Sequence, residues 1–220
     1  MKIIALGDIH EHTDHLAAIE GLSRADCVVI TGDLTNTGGI ERAKRVIDRV
    51  RRYNTAVFAQ AGNFDRREVE SFLQGLGISI HGNGTVQGII GIFGVGGSNP
   101  TPFNTPNEFS EHEIHSLILQ GYRTVKDAPL TLFVPHAPPY NTAVDMVRSG
   151  EHVGSTAVRE FIELYQPDVC VTGHIHEGKG EDRIGRTHVL NPGPLSQGGY
   201  VELIEGKTGI EGRLRQIRGE

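Results

Sequence analysis

Seven polar side chains, Asp8, His10, Asp33, Asn63, His136, His174 and His176, follow closely on five short apolar runs. Residues 2–6 lead into Gly7-Asp8-Ile9-His10, 27–30 into Thr31-Gly32-Asp33, 56–59 into Gly62-Asn63, 130–134 into Pro135-His136, and 169–171 into Thr172-Gly173-His174-Ile175-His176. Together they offer carboxylate and amide oxygens and imidazole nitrogens. This donor set suits borderline divalent cations such as Mn, Fe, Co, Ni or Zn. Seven side chains are too many for one ion. Two ions roughly 3.5 Å apart and sharing Asp33 would make a two-metal hydrolase site. Two divalent cations against Asp8, Asp33 and a hydroxide leave a net charge of about +1, which welcomes a phosphate ester. Any one of these residues alone would read as the polar cap of a strand, but seven at five strand ends point to metal.

Elements must exist to bring such residues to one place. Short apolar runs bounded by turn residues read as buried strands, and they alternate here with helical patterns, which argues for an α/β fold with a parallel or mixed sheet. In such sheets ligands collect where strands end. Helical spacing places helices over 12–22 (Leu16, Ala18, Ile19), 40–53 (Ile40, Ala43, Ile47, Val50) and 66–76. A capping box of Ser110 and Glu113 opens another, and a further helix covers 155–165 before Pro167. Between them, the glycine-rich stretch 82–99 predicts a strand near 88–93, followed by an irregular loop over 97–106. The chain then closes with a strand over 187–190, a turn at 191–194 and a hairpin over 199–217. Arg42, Lys44, Arg45, Arg49, Arg51 and Arg52 are interrupted by Glu41 and Asp48, so they read as a solvated helix face. A dinucleotide fingerprint fails because Asn99 stands where its last glycine belongs. Gly206-Lys207-Thr208 fails as a phosphate loop because position 201 is valine.

The 220 residues suit one domain spanning 1–220, and the net charge of -6 gives no bulk attraction to nucleic acid or acidic membranes. The apolar run before Asp8 is too short for a signal peptide, and no run approaches the roughly 18 residues that span a bilayer, so a cytoplasmic protein without membrane or nucleic-acid partners is expected. The two cysteines, Cys27 and Cys170, fall within apolar runs and read as reduced, buried thiols rather than a disulfide.

The ordered blocks Asp8-x-His10, Gly32-Asp33, Gly62-Asn63, His136 and Gly173-His174-x-His176 resemble the calcineurin-like metallophosphoesterase superfamily, in particular its compact prokaryotic and archaeal members. The resemblance implies a four-layer α-β-β-α sandwich with two mixed β-sheets. It also implies two divalent metal ions, one held by Asp8, His10 and His176 and the other by Asn63, His136 and His174, with Asp33 bridging them. Asp33, Asn63 and His136 would have the most direct part in catalysis. A hydroxide between the ions would attack a small phosphate ester, most readily a diester. One position departs from the family pattern: a histidine that assists the leaving group usually follows the asparagine, whereas here Phe64 follows Asn63. Phenylalanine cannot donate a proton, which puts rate and substrate range at stake, and His12 and His81 are the alternative donors. The loops 97–109 and 137–154 are expected to wall the cleft, with Asn99, Tyr140 or His152 near the phosphate. The competing reading is a catalytically silent scaffold like the retromer subunit of this fold; a recombination-type nuclease fits poorly with the acidic chain.

Overall fold

The N-terminal strand β1 (Lys2–Leu6) carries an apolar side chain at each of its last four positions, and all four are buried. A strand of that kind must be covered on both faces. Ile3 and Ala5 point to one core while Ile4 and Leu6 point to another. The same alternation splits β2 (Cys27–Ile30), with Cys27 and Val29 on the first side and Val28 and Ile30 on the second.

The computed structural model describes residues 1–217. In chain order the remaining elements are α1 (Ile40–Arg51), β3 (Val57–Ala59), α2 (Arg67–Gly75), β4 (Gly84–Gln87), β5 (Ile90–Val95), α3 (Glu111–Val125) and β6 (Leu130–Pro135). They are followed by α4 (Thr156–Tyr165), β7 (Val169–Val171), β8 (Gly180–Ile184), β9 (Thr187–Asn191), β10 (Gly199–Glu205) and β11 (Ile210–Gln216). One sheet has the order β11-β10-β1-β2-β3 and the other β4-β5-β6-β7-β9-β8. Both are mixed: β1-β2-β3 and β5-β6-β7-β9 run parallel, and antiparallel strands flank them.

Three cores separate four layers. Val46, Ile47, Val50, Val69 and Leu73 of α1 and α2 cover the outer face of the first sheet. Val29, Ile92, Leu132, Val171 and Leu203 fill the space between the sheets. Ile114, Ile118, Val158 and Phe161 of α3 and α4 cover the outer face of the second sheet over Phe93 and Phe133. This is the α-β-β-α sandwich with two mixed sheets. Cys27 lies in the core between the sheets and Cys170 in the core under α3 and α4, both as free thiols.

The helices follow their local signals. Ser110 and Glu113 form the reciprocal capping box of α3, and the Ser155 hydroxyl accepts from the Val158 amide at the start of α4. The expected helix over 12–22 is instead two 3-10 turns, Asp14–Ala18 and Leu22–Arg24, separated by Gly21 in the left-handed region. The buried residues there, Leu16, Ile19 and Leu22, recur every third position, which matches three residues per turn rather than 3.6. The strand expected near 88–93 is displaced as well. Gly88, at φ 59, makes the turn of a hairpin, and β4 and β5 pair on either side of it.

Candidate metal centre

All seven residues singled out in the sequence converge on one rim. Nε2 of His10 and Nε2 of His176 lie 3.3 Å apart, and Nε2 of His176 is 3.7 Å from Oδ1 of Asp8. Oδ2 of Asp33 is 3.6 Å from Nε2 of His10 and 3.5 Å from Nε2 of His136. On the other side Oδ1 of Asn63 lies 3.1 Å from Nε2 of His136 and 2.9 Å from Nδ1 of His174. The ligand atoms of Asp8, His10 and His176 fall within 4.8 Å of one another, as do those of Asp8, Asp33 and His136.

Tight backbone geometry produces this convergence. Asp8, His10, Asp33 and His174 all have φ between 44 and 65°. Non-glycine residues held there cost about 1–3 kcal/mol each and persist only where surroundings enforce them. Hydrogen bonds supply the enforcement. The amides of His10 and Glu11 donate to the carbonyls of Asp33 and Leu34, both at 2.8 Å, and the His174 amide donates to Oδ1 of Asp8 at 3.0 Å. Glycine precedes Asp33, Asn63 and His174 because the loops touch. A Cβ on Gly62 would overlap Asp33, one on Gly32 would stand 2.5 Å from Nδ1 of His136, and one on Gly173 would stand 2.6 Å from Oδ2 of Asp8.

Two residues that the sequence did not mark as organisers hold these loops. Asp65 is fully buried and accepts from the amides of Leu34 (3.0 Å), Thr35 (2.8 Å) and Gly62 (2.9 Å) and from the Thr35 hydroxyl (2.7 Å). It therefore ties the Asp33 loop to the Asn63 loop. Gln60, also fully buried, shares the two Nε2 hydrogens among the carbonyls of Thr31 (2.9 Å), Val95 (3.1 Å) and Val134 (2.7 Å). Thr31 follows directly on β2 of one sheet, while Val95 ends β5 and Val134 lies in β6 of the other, so Gln60 staples the sheets together beneath the site. The side chain of Asn63 is fixed by donation from Nδ2 to the Thr105 hydroxyl at 3.0 Å, which aims its oxygen at His136 and His174.

The electrostatics are those of crowded opposite charges. Burial opposes the charged form of Asp8, yet His176, 3.7 Å away, and the nearby imidazoles of His136 and His10 lower it to about 2. Burial likewise opposes charge on His136, but Asp33, Asp8 and Asp65 raise it to about 9. Burial and the neighbouring His136 lower His174 to about 4. Burial and Asp33 push Asp65 up to about 7 against its four hydrogen bonds. The donor set fits a cation. Oδ2 of Asp8 is buried with no hydrogen-bond partner, and the ring nitrogens of His10 and His176 face each other across a gap that a positive ion would satisfy.

A cleft of about 1050 Å³ opens over this rim. Its walls include residues 99–103, Tyr140, 147–149 and 151–154, Asn99 and His152 among them, while Phe64, half-buried, stands edge-on to His10 at 5.7 Å. Arg148 also lines the cleft and carried no signal in the sequence. The two candidate donors part company: His12 is exposed and lines the cleft, whereas His81 is not among the lining residues. Nδ1 of His81 accepts from the Gly96 amide at 2.9 Å and its ring packs on Phe109.

A family model described as calcineurin-like phosphoesterase matches residues 1–178. The chain belongs to this family. It is similar to the uncharacterized protein MJ1162 of Methanocaldococcus jannaschii, 38% identical over 203 residues, with 89% of each chain covered. Among solved structures it is similar to TT1561 of Thermus thermophilus, with a TM-score of 0.75, 18% identity and 99% of both chains covered. It also matches the phosphopantetheinyl hydrolase of Mycobacterium tuberculosis, with a TM-score of 0.57, 14% identity, and 100% of this chain and 96% of that one covered. Membership supports a hydrolase of phosphate esters with candidate ligands for divalent metal. No helix among the described residues is long and apolar enough to cross a membrane.

Proposed function

We propose that this member of the family is a binuclear-metal-dependent phosphoesterase that hydrolyses small phosphodiesters. The observation that carries the reading is the place of Asp33, whose Oδ2 lies 3.6 Å from His10 and 3.5 Å from His136, between two groups of donors. Asp8, His10 and His176 would hold one ion, Asn63, His136 and His174 the other, and Asp33 would reach both. Divalent cations bound there supply Lewis-acid charge to phosphoryl oxygens and make a water nucleophilic at neutral pH. The chain does the positioning. Asp65 and the strained loops fix the donors before substrate arrives, so no reorganisation is needed as charge develops. The loops over 97–109 and 137–154 hold the ester and exclude bulk water.

Diesters are favoured because the lining residues include a single arginine or lysine, Arg148. A diester carries one negative charge and needs less cationic help than a dianionic monoester. The scaffold reading receives no comparable support. Of the exposed large apolar side chains among the described residues, Phe103 and Tyr140 line the cleft, while Ile40 stands on α1, Val86 and Ile89 on the β4-β5 hairpin, and Leu164 and Tyr165 on α4.

The test is to strip the protein of metal, reload it separately with Mn, Fe, Co, Ni or Zn, and measure bound metal and turnover of nitrophenyl diesters and monoesters. About two ions per chain and faster diester cleavage are expected. One ion per chain would overturn the bridging role of Asp33, and no turnover with any metal would overturn the enzyme.

A further inference from the structure

Phe64 leaves the leaving group without the usual donor, and the cleft is also lined by a histidine backed by a buried carboxylate, a pair suited to that task. Nδ1 of His152 lies 2.6 Å from Oδ1 of Asp145. Asp145 is fully buried, and its carboxylate also accepts from the amides of Asn141 (3.0 Å), Thr142 (2.8 Å) and Gly154 (3.0 Å). A carboxylate only accepts, so Nδ1 of His152 carries the proton of this bond and Nε2 is left free of it. The side chain of His152 is 30% exposed and lines the same cleft as His10, His174 and His176.

The pair is built into the fold and not draped over it. A Cβ on Gly154 would come within 2.9 Å of Asp145, so glycine is what allows the loop to close around the carboxylate. Tyr140 packs edge-on against the His152 ring at 6.2 Å, and Nδ2 of Asn99 donates to the neighbouring Val153 carbonyl at 3.2 Å, joining the two cleft walls beside it. His12 also lines the cleft but has no such carboxylate behind it among the described residues. A base or acid oriented by a buried carboxylate is the arrangement by which imidazole transfers protons during catalysis.

We propose that His152 is the general acid of this protein and Asp145 its positioning residue, together replacing the donor that Phe64 cannot provide. The inference rests on the phosphoesterase reading above. In the step it serves, a water oxygen forms the new bond to phosphorus and gives its proton to solvent. The bond from phosphorus to the leaving oxygen breaks, the electron pair stays on that oxygen, and the proton on Nε2 of His152 passes to it. Solvent then reprotonates the imidazole.

Leaving-group dependence tests this. The manganese-loaded parent, His152→Asn, Asp145→Asn and His12→Ala proteins would be assayed on alkyl and nitrophenyl diesters. General acid catalysis is worth about 10²- to 10⁴-fold where the leaving group needs a proton, so His152→Asn should lose about that much kcat/KM on the alkyl ester and at least tenfold less on the nitrophenyl ester. Asp145→Asn should show the same split in weaker form. In the metal-free protein, nitrogen-detected NMR should find a proton on Nδ1 of His152. Equal losses on both esters, the split appearing in His12→Ala instead, or a bare Nδ1 would overturn the inference. A parent that turns over neither ester overturns the phosphoesterase reading and this inference with it, whereas an active parent with unsplit variants overturns this inference alone.

Discussion

Asp33 and Asp65 lie on neighbouring loops of one rim, and the proposed reading gives the first a part in the chemistry and the second a part in support. Asp33 presents Oδ2 to His10 and His136, so Asp33→Asn should abolish most metal binding, measured as metal per chain after reconstitution. Near-parental metal content would sink the bridging assignment. Asp65 meets no proposed ligand side chain by hydrogen bond; its four donors are backbone amides and the Thr35 hydroxyl. Asp65→Asn should therefore keep metal while losing about 1–3 kcal/mol of stability, because an amide nitrogen would face donors that had an oxygen. A chemical-denaturation midpoint reads that loss. Phe64 provides a second prediction at this scale. It stands against His10 at the cleft floor, so Phe64→His placed in the His152→Asn background should recover alkyl-ester turnover by at least tenfold, a partial return of the roughly 10²- to 10⁴-fold worth of an acid. No recovery in kcat/KM would mean that a donor at the floor cannot reach the leaving group.

Between residue and molecule stand the elements, and their legibility was uneven for physical reasons. The parallel strands β1, β2, β6 and β7 announced themselves because both faces are buried, leaving apolar runs that end abruptly in Gly-Asp, Pro-His or Gly-His. The edge strands β4 and β8 did not, since Gly84–Gln87 and Gly180–Ile184 face solvent and carry mostly polar residues. The segment after His12 gave apolar residues at a spacing of three, and reading that as a helix ignored the left-handed Gly21. Every residue of the rim was visible because it sits beside its strand in sequence. The organising roles of Gln60 and Asp65 were not, because their partners lie up to 74 and 31 residues away, and nothing in a local pattern shows that approach. Gln60 makes this testable. Gln60→Ala would remove the donor shared by the carbonyls of Thr31, Val95 and Val134; the Val95 carbonyl keeps the His136 amide at 2.9 Å, and each buried group left unpaired costs about 1–3 kcal/mol. The expected result is a lower denaturation midpoint with reduced metal affinity, since the strand ends that carry Asp33 and His136 lose their common anchor. Unchanged metal affinity would confine Gln60 to stability.

At the scale of the whole molecule, three cores share two sheets, so each central strand buries residues in two cores at once. Ile3 and Ile4 are adjacent in β1 yet belong to different cores, as do Leu132 and Phe133 in β6. A sheet cannot lose the packing on one face and keep its register on the other, because a one-residue slip would turn every side chain to the wrong side. The layers should therefore fold and unfold as one unit, the behaviour expected of a single domain over 1–220. Leu73→Ala removes contacts beneath α2, Leu132→Ala between the sheets, and Ile118→Ala beneath α3, three sites in three different cores. Each truncation of a fully buried aliphatic side chain should cost about 2–5 kcal/mol. If the cores are coupled as the shared strands require, each variant shifts one common transition, with tyrosine fluorescence and far-ultraviolet circular dichroism moving together. Separate transitions, with Leu73→Ala lowering one and Ile118→Ala another, would show that the two halves of the sandwich unfold independently and that the metal rim, assembled from both sheets, lies on a boundary instead of within a single cooperative structure.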